Sequence, residues 1–316
     1  MQHMNPTASS KCAFAPATIA NFNVGFDVLG LALADIGDKV EVTPNGLSIN
    51  RITQIDNHSS LPTDPAKNSC TVVIGKMQEY LDTPIFVDVR IQKGFASGSG
   101  LGSSSASSAA AAFAYNALAG SPFSVEELLP FAAEGERAAC GSAHLDNVAP
   151  ALLGGMVLLH GGKVVQLPLP EGLHTVSFFP DIEVNTSSSR SIVSKIASLD
   201  VVSKQVSCMG AFVAGLYRND LQLVKSAMKD YLVEPARKIL IPYFDEMREA
   251  SLQSGGVAFG ISGSGPSVFA LAPNAATAEK IRLEMEAIYA GKGIKTLSFI
   301  IDLQKSKGAK LCDYSS

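Results

Sequence analysis

The sequence predicts an α+β protein built from two packed domains. The chain has 316 residues, which is more than one ordinary core accommodates. Hydrophobic residues make up 47% and charged residues 17%, a composition typical of a globular protein with ample core material. Strand and helix signals are mixed in both halves, as in α+β layers. A change of domain is expected near Pro168–Gly172, so residues 1–168 form the first domain and residues 169–316 the second.

The first half alternates short strands with helices. Helical spacing predicts a helix over 69–81, and alanine, the best helix former, predicts another over 106–119. Ser124 and Glu127 form a capping box that begins a further helix ending near Ala139. Alternation and turn residues predict strands at 28–33, 39–42, 47–52 and 85–91, with 39–42 and 47–52 joined by a turn at 44–46, and a hairpin over 154–167.

The second half also mixes strands with helices. A strand is expected at 175–179 and a polar loop at 185–190, followed by two or more helices between 191 and 252. Short strands at 256–261 and 268–271 flank a glycine-rich turn. A helix over 275–289 and a last strand over 296–301 complete the chain.

Charge and cysteine usage exclude several classes of protein. The net charge of -4 provides no basic surface for nucleic acid and no polybasic patch for a membrane. Five cysteines without a Cys-x-x-Cys pair argue against a disulfide framework or a zinc site and favour a reducing compartment. The polar N-terminus does not resemble a signal peptide, and no apolar run approaches the roughly 18 residues that span a bilayer. The sequence therefore predicts a soluble cytoplasmic protein.

The segment from Gly94 to Ala106, GFASGSGLGSSSA, is suited to holding phosphate. It joins a predicted strand to a predicted helix, which a flexible linker would not do. Glycines let the backbone approach an anion closely, and the helix N-terminus adds free amides and a partial positive charge. The loop is not a P-loop, because no lysine follows the glycines, and its Gly-x-Gly-x-Gly spacing is not the dinucleotide fingerprint. Protein-kinase signatures are also missing from the sequence.

Three motifs in order resemble the GHMP kinases, named for galacto-, homoserine, mevalonate and phosphomevalonate kinases. They are Gly-Ser-Gly-Leu-Gly-Ser-Ser at 98–104, the segment APATIANFNVGFDVLGLAL at 15–33 and GISGSGPS at 260–267. The first segment, together with HLDNVAPA at 144–151 and EPAR at 234–237, is similar to the homoserine kinase branch in particular. The resemblance covers roughly residues 12 to 302, and departs from the family pattern at Ser105, where alanine is usual.

The resemblance implies a GHMP kinase fold. Its N-terminal domain is like the second domain of ribosomal protein S5, its C-terminal domain is ferredoxin-like, and the active site lies between them. The implied reaction is the ATP-dependent phosphorylation of L-homoserine to O-phospho-L-homoserine in threonine biosynthesis, by a homodimer. The alternatives are a kinase for another small alcohol, such as mevalonate or shikimate, and an inactive nucleotide-binding member.

The resemblance also implies where ATP and Mg²⁺ bind. On the sequence alone, Glu136 on a charged helix would more often be a solvated surface residue. The family instead holds Mg²⁺ with a glutamate at this position and a serine of the loop, for which we favour Ser104 over Ser103, and Glu136 over Glu134. The implied ATP-binding residues are Ala96, Ser97, Gly98, Ser99, Gly100, Leu101, Gly102, Ser103, Ser104, Ser105 and Gly263.

A zwitterionic substrate is implied by the remaining site residues. The resemblance places Asn21 and Asp27 on the amino acid, with Asp27 facing its ammonium group. Arg190 and Arg237 are expected to bind the carboxylate, because a guanidinium fork matches that planar anion. His144 is expected in the substrate pocket, although a histidine taken alone would more often be structural.

Asn147 stands where some relatives carry an aspartate base. An amide cannot accept a proton at neutral pH, but it can orient the acceptor hydroxyl by hydrogen bonding. The proton is then expected to leave to the phosphate or to water in a loose transition state. We therefore expect Asn147, Glu136 and Ser104 to be the catalytic residues.

Overall fold

A computed structural model describes residues 9–57, 61–182, 189 and 191–314. The strands in this part of the chain are β1 (Lys11–Ala20), β2 (Leu29–Pro44), β3 (Arg51–Asp56), β4 (Val87–Gln92), β5 (Met156–His160), β6 (Lys163–Leu167), β7 (His174–Pro180), β8 (Ala258–Ile261), β9 (Val268–Ala272), β10 (Thr296–Asp302) and β11 (Lys310–Leu311). The helices are α1 (Ser69–Gln78), α2 (Ser103–Leu118), α3 (Leu129–Cys140), α4 (Leu145–Leu153), α5 (Leu199–Arg218), α6 (Leu221–Ala227), α7 (Glu234–Arg237), α8 (Phe244–Gln253) and α9 (Ala275–Gly291).

The first sheet contains seven strands of the described chain. Its main path is β11-β1-β2-β4-β3, and β5 pairs with β2 and with β6. All of these pairs are antiparallel except β3 with β4. Helices α1 to α4 contribute, with this sheet, to a core in which the buried face of α2 is largely alanine. Small side chains let α2, which begins at the phosphate loop, pack closely against its neighbours.

The second sheet has four antiparallel strands in the order β10-β7-β9-β8. Helices α8 and α9 pack on it around a separate cluster of apolar side chains. A third cluster joins the two halves of the chain, with Phe22 stacked on Phe269 at a ring-centroid distance of 4.8 Å and tilted against Phe212 at 5.8 Å. The two layers are therefore held together by apolar contacts beside the loop that the sequence assigns to phosphate.

The mixed strand and helix composition confirms the predicted α+β class. The division proposed at residues 168 and 169 falls between β6 and β7, whereas β11 lies in the first sheet beside β1. The capping box is present, since Ser124 N donates to Glu127 Oε2 at 2.8 Å. The helix that it begins starts as a short 3₁₀ turn, Glu126–Leu128, and continues as α3. The hairpin over 154–167 is also confirmed as β5 and β6.

Two strand predictions differ from the structure. The patterns at 28–33 and 39–42 belong to a single strand, β2, whose pairing with β1 shifts register between Pro16 and Ala17. The strand predicted at 47–52 does not form a hairpin with β2, because β3 begins at Arg51 and pairs in parallel with β4. The turn residues at 44–46 were a local signal, but partner choice depends on packing over the whole sheet.

Helix α5 contradicts the prediction that no apolar segment is long enough to span a bilayer. Within its 20 residues, an 18-residue window has a mean hydropathy of 1.2 and meets the length and composition of a membrane span, with only 22% of that window buried. A core helix of a soluble protein can pass the same test, so this is weak evidence for a span. The exposed apolar side chains of α5 do not contribute to the core of the described chain.

Candidate active site

The phosphate loop joins β4 to α2 in a conformation that requires glycine. Gly98, Gly100 and Gly102 have φ angles of 77°, 81° and 69°, in the left-handed region. A side chain at Gly102 would also collide, because its Cβ would lie 2.2 Å from Thr18 Oγ1 and 2.7 Å from Asn147 Oδ1. Gly102 directly precedes the first turn of α2, so the backbone amides there are available to an anion.

The second half of the chain supports this loop from behind. Ser262 Oγ donates to the Gly100 carbonyl at 2.7 Å, and Ser267 N donates to the Ser99 carbonyl at 3.2 Å. A Cβ on Gly100 would lie 2.7 Å from the Gly265 carbonyl oxygen. The glycine turn at 263–265 and the phosphate loop are therefore in direct backbone contact, which explains why both segments are rich in glycine.

A buried ion pair lies beneath the start of α2. Lys93 Nζ contacts Asp38 Oδ2, and their side chains are only 2% and 0% exposed. Lys93 also donates to the Ser103 carbonyl at 3.0 Å and to Ser107 Oγ at 2.9 Å. Asp38 accepts from Ser107 Oγ at 2.6 Å and from Gly94 N at 3.1 Å. Both ends of the phosphate loop are thus tied to one charged pair.

Glu136 projects from α3 toward the first turn of α2. Its Oε2 atom accepts hydrogen bonds from Ser104 Oγ at 2.6 Å and from Ser105 Oγ at 2.9 Å, although the side chain is almost fully buried. Its Oε1 atom lies 3.1 Å from His144 Nδ1. Hydrogen bonding to Cys140, followed by that to Glu136, raises the pKa of His144 to about 10. A buried carboxylate and a loop hydroxyl therefore converge at one point.

Asn147 lies at the other side of the loop on α4. Its Oδ1 atom accepts from Thr18 Oγ1 at 2.7 Å, which leaves the amide NH₂ as the donor that can face the cleft. The neighbouring Asp146 is buried, and burial, followed by the charge of Asp27, raises its pKa to about 7.

The predicted substrate residues meet around the Gly263 carbonyl. Asn21 Nδ2 donates to this oxygen at 3.0 Å, and Arg237 Nη1 donates to it at 2.8 Å. Asp27 N donates to Asn21 Oδ1 at 3.0 Å, so the first segment is folded toward the same point. The Arg237 guanidinium lies 5.5 Å from the centre of the Phe26 ring. Asp27 and Arg237 are thus both linked to the Asn21–Gly263 contact, and both line the cleft.

A single cleft of about 680 Å³ contains most of the predicted site residues. Arg190 lies outside the described residues. Among the described residues, the loop residues Ala96, Ser99, Leu101 and Ser105 are not among those that line the cleft, and the last three are buried. The predicted residues that line it are Asn21, Asp27, Ser97, Gly98, Gly100, Gly102, Ser103, Ser104, Glu136, His144, Asn147, Arg237 and Gly263.

Several residues that shape the site were not foreseen from the sequence. Lys93 and Asp38 carry no motif signal, and Thr18 lies in the motif at 15–33 without a role assigned to it. Each acts on the loop through a contact with a residue far away in the chain. Ser262 lies in the recognised C-terminal motif, which could have suggested its contact with Gly100. In the sequence, Cys140 is only one of five isolated cysteines, and the helix places it one turn after Glu136.

Comparisons with known proteins agree with this architecture. The family models for the GHMP kinases N terminal domain and the GHMP kinases C terminal match residues 68–155 and 212–291. A homoserine kinase of Chloroherpeton thalassium is 40% identical over 292 residues, covering 87% of this chain and 91% of that enzyme. A homoserine kinase of Xylella fastidiosa is 34% identical over 307 residues, covering 97% and 95%. The crystal structure of homoserine kinase from Cytophaga hutchinsonii matches with a TM-score of 0.93 and 40% identity, over 99% of each chain.

The fold and the glycine-loop site define a GHMP kinase, an enzyme class that uses ATP to phosphorylate small molecules. The relatives are 34–40% identical and cover most of the chain, so the family can be named more narrowly. The chain belongs to the homoserine kinase family. This confirms the resemblance and the predicted fold, while the roles of individual residues remain predictions.

Proposed function

We propose that this chain transfers the γ-phosphoryl group of ATP to the side-chain hydroxyl of L-homoserine. The observation that carries the proposal is the joint placement of two half-sites in one cleft. The phosphate loop, Ser104 and Glu136 occupy one part, and Asp27 and Arg237 occupy another. Phosphoryl transfer depends mainly on positioning and charge stabilisation, which such a cleft supplies.

The donors near the phosphate loop fit a magnesium ion. Mg²⁺ prefers one or two carboxylates together with phosphate oxygens and water. Glu136 offers the carboxylate and Ser104 a hydroxyl, with 2.6 Å between Ser104 Oγ and Glu136 Oε2. Ser103 is the alternative, since its buried hydroxyl has no hydrogen-bond partner in the described part of the chain. When bound with ATP, the ion would neutralise charge that develops on the phosphates.

The substrate end of the cleft fits an amino acid. Asp27 would face the ammonium group, and Arg237, with Arg190 from outside the described residues, would bind the carboxylate. Asn21 supports this end through its bonds to the Gly263 carbonyl and to Asp27 N. His144 also lines the cleft and contacts Glu136, where its charge would offset the phosphates.

Asn147 would orient the acceptor hydroxyl without taking its proton. Because Thr18 donates to Asn147 Oδ1, the Asn147 amide is left to donate to an oxygen in the cleft. A hydroxyl held this way can attack the γ-phosphorus while its proton passes to a phosphate oxygen or to water. The loose transition state makes an early proton acceptor unnecessary.

An ATP-consumption assay with homoserine, mevalonate, shikimate and galactose tests the proposed substrate. We expect turnover with homoserine alone to be efficient, because the other three alcohols lack an ammonium group for Asp27. Glu136→Gln serves as the control for contaminating kinases. Equal turnover of mevalonate and homoserine would favour the broader small-alcohol kinase, and no turnover of any substrate would favour an inactive member.

We also propose that the enzyme is a cytoplasmic homodimer. All five cysteines are free thiols, which fits a reducing compartment. Helix α5 exposes an apolar stripe that a second copy would cover in antiparallel orientation. Asp200 and Arg218 are about five turns apart, on the same flank of the helix, so each would meet the opposite charge of the other copy. The exposed members of the stripe are Leu199, Val202, Val206 and Tyr217.

Sedimentation equilibrium tests this interface. We expect a dimer for the full chain, and a monomer for Val206→Glu, which places a charge in the centre of the stripe. Leu283→Glu is the matched control, since Leu283 is a similarly exposed apolar residue on α9. A monomeric wild-type chain, or a dimer that survives Val206→Glu, would contradict the proposal.

A further inference from the structure

Three side chains at the edge of the cleft bring different ligand atoms together. Glu136 and Cys140 lie one turn apart on the same face of α3, and His144 directly precedes α4. One ligand atom from each of the three residues lies within 4.8 Å of the other two. The Cys140 sulfur is also 3.4 Å from Ser104 Oγ. The cluster combines a sulfur, a nitrogen and an oxygen donor.

This donor set suits a metal ion other than magnesium. Zinc binds cysteine sulfur, histidine nitrogen and carboxylate oxygen at about 2.0–2.3 Å with tetrahedral geometry. Magnesium instead prefers oxygen donors, and imidazole and thiolate ligands favour zinc and other softer ions. Three protein donors of these kinds leave one position for water or for the Ser104 hydroxyl.

We propose that Glu136, Cys140 and His144 bind a zinc ion or a similar soft divalent cation, and that its binding inhibits the kinase. Cys140 is exposed at the end of α3, so a hydrated ion can reach its sulfur from solvent. Binding releases the thiol proton, and the ring proton of His144 where present, to water. The ion takes the place of the present contact between His144 Nδ1 and Glu136 Oε1.

The histidine ring is already held in an orientation that suits a ligand. His144 Nε2 lies 3.1 Å from Ser142 Oγ, so this nitrogen can donate to the hydroxyl while Nδ1 binds the ion. A hydrogen bond from the second ring nitrogen is the usual way in which proteins orient a metal-binding histidine. Ser142 therefore orients the site without touching the ion.

The inhibition follows from shared use of one carboxylate. A zinc ion held by Cys140 and His144 draws Glu136 away from Ser104 and from the position proposed for Mg²⁺. This half of the proposal rests on the proposed role of Glu136 in catalysis, whereas the binding half does not. The cysteine spacing gave no hint of such a site, because only one of its three ligands is a cysteine.

Cobalt absorption tests binding without any enzyme assay. The full, reduced, metal-free chain is titrated with Co²⁺ in the absence of ATP, and the thiolate charge-transfer and visible bands are recorded. We expect the bands in the wild type and in Cys208→Ala, which removes a thiol of α5, and their loss in Cys140→Ala. A thiol pair elsewhere in the chain could also bind the probe, since the sulfur atoms of Cys12 and Cys312 are 3.4 Å apart. Bands that persist in Cys140→Ala, or that vanish only in Cys312→Ala, would overturn the proposal.

Zinc inhibition is then measured at buffered free zinc with excess Mg²⁺, each variant being compared with its own activity without zinc. Loss of a hydrogen-bond partner of a metal ligand lowers metal affinity roughly 10–100-fold. Loss of a ligand itself should therefore raise the inhibitory zinc concentration by at least as much. We therefore expect Cys140→Ala to be far less sensitive than Cys208→Ala. Equal zinc sensitivity of these two variants would overturn the inhibitory role even if Co²⁺ binds. If no substrate is phosphorylated, the cobalt titration still decides the binding site.

Discussion

Replacing Lys93 with methionine tests whether the buried ion pair holds the phosphate loop in place. The substitution keeps most of the side-chain volume but leaves the Asp38 carboxylate, which is 0% exposed, without its cation. Removing one partner of a buried ion pair costs about 3–5 kcal/mol. Since proteins unfold at a cost of only about 5–15 kcal/mol, the variant should lose a large part of its stability. Lys93 also donates to the Ser103 carbonyl, so we expect a higher KM for ATP.

Urea-induced unfolding, followed by circular dichroism, measures the loss. Lys76→Met is the matched control, because Lys76 pairs with Glu79 on the surface, and such pairs contribute about 0–1 kcal/mol. Adding Asp38→Asn to Lys93→Met removes the unpaired buried charge and should restore about 0.5–3 kcal/mol. The reasoning is refuted if Lys93→Met is as stable as Lys76→Met, or if the double variant is less stable than Lys93→Met alone.

Three further predictions concern the cleft. Glu136→Gln removes the proposed metal-binding charge, so turnover should fall by orders of magnitude while the circular dichroism spectrum stays unchanged. Glu134→Gln is the control and should stay active. Near-normal activity of Glu136→Gln at limiting Mg²⁺ would contradict this prediction. Arg237→Ala should raise the KM for homoserine about 10- to 150-fold, because a charged hydrogen bond contributes roughly 1.5–3 kcal/mol. Arg282→Ala on α9 is its control, and equal KM values for these two variants would argue against carboxylate binding. Asn147→Ala should lower kcat by up to about a hundredfold, because the acceptor hydroxyl is misplaced. The shape of the kcat–pH profile should not change, since an amide does not ionise. An acidic limb that is lost only in this variant would reveal a base at this position.

The sequence was most informative where structure depends on neighbouring residues. The helix at α2 follows from its alanines, the capping box from Ser124 and Glu127, and the loop from glycines whose φ angles other residues rarely adopt. The predicted hairpin at 39–52 failed because the choice of a strand's partner is not local. Residues 51–56 pair with β4, which lies more than thirty residues later in the chain.

By itself, the sequence determined the α+β class and the family and located the glycine loop, since each depends on short motifs and local backbone preference. Only the tertiary structure decided which side chains meet. Glu136 would be an ordinary surface glutamate on α3 if α2 did not pack against it and bring Ser104 within 2.6 Å. Lys93 and Asp38 are 55 residues apart, and burial by the surrounding helix and sheet turns them into a strongly coupled pair. Such contacts depend on packing and on the removal of water, which no spacing along the chain records.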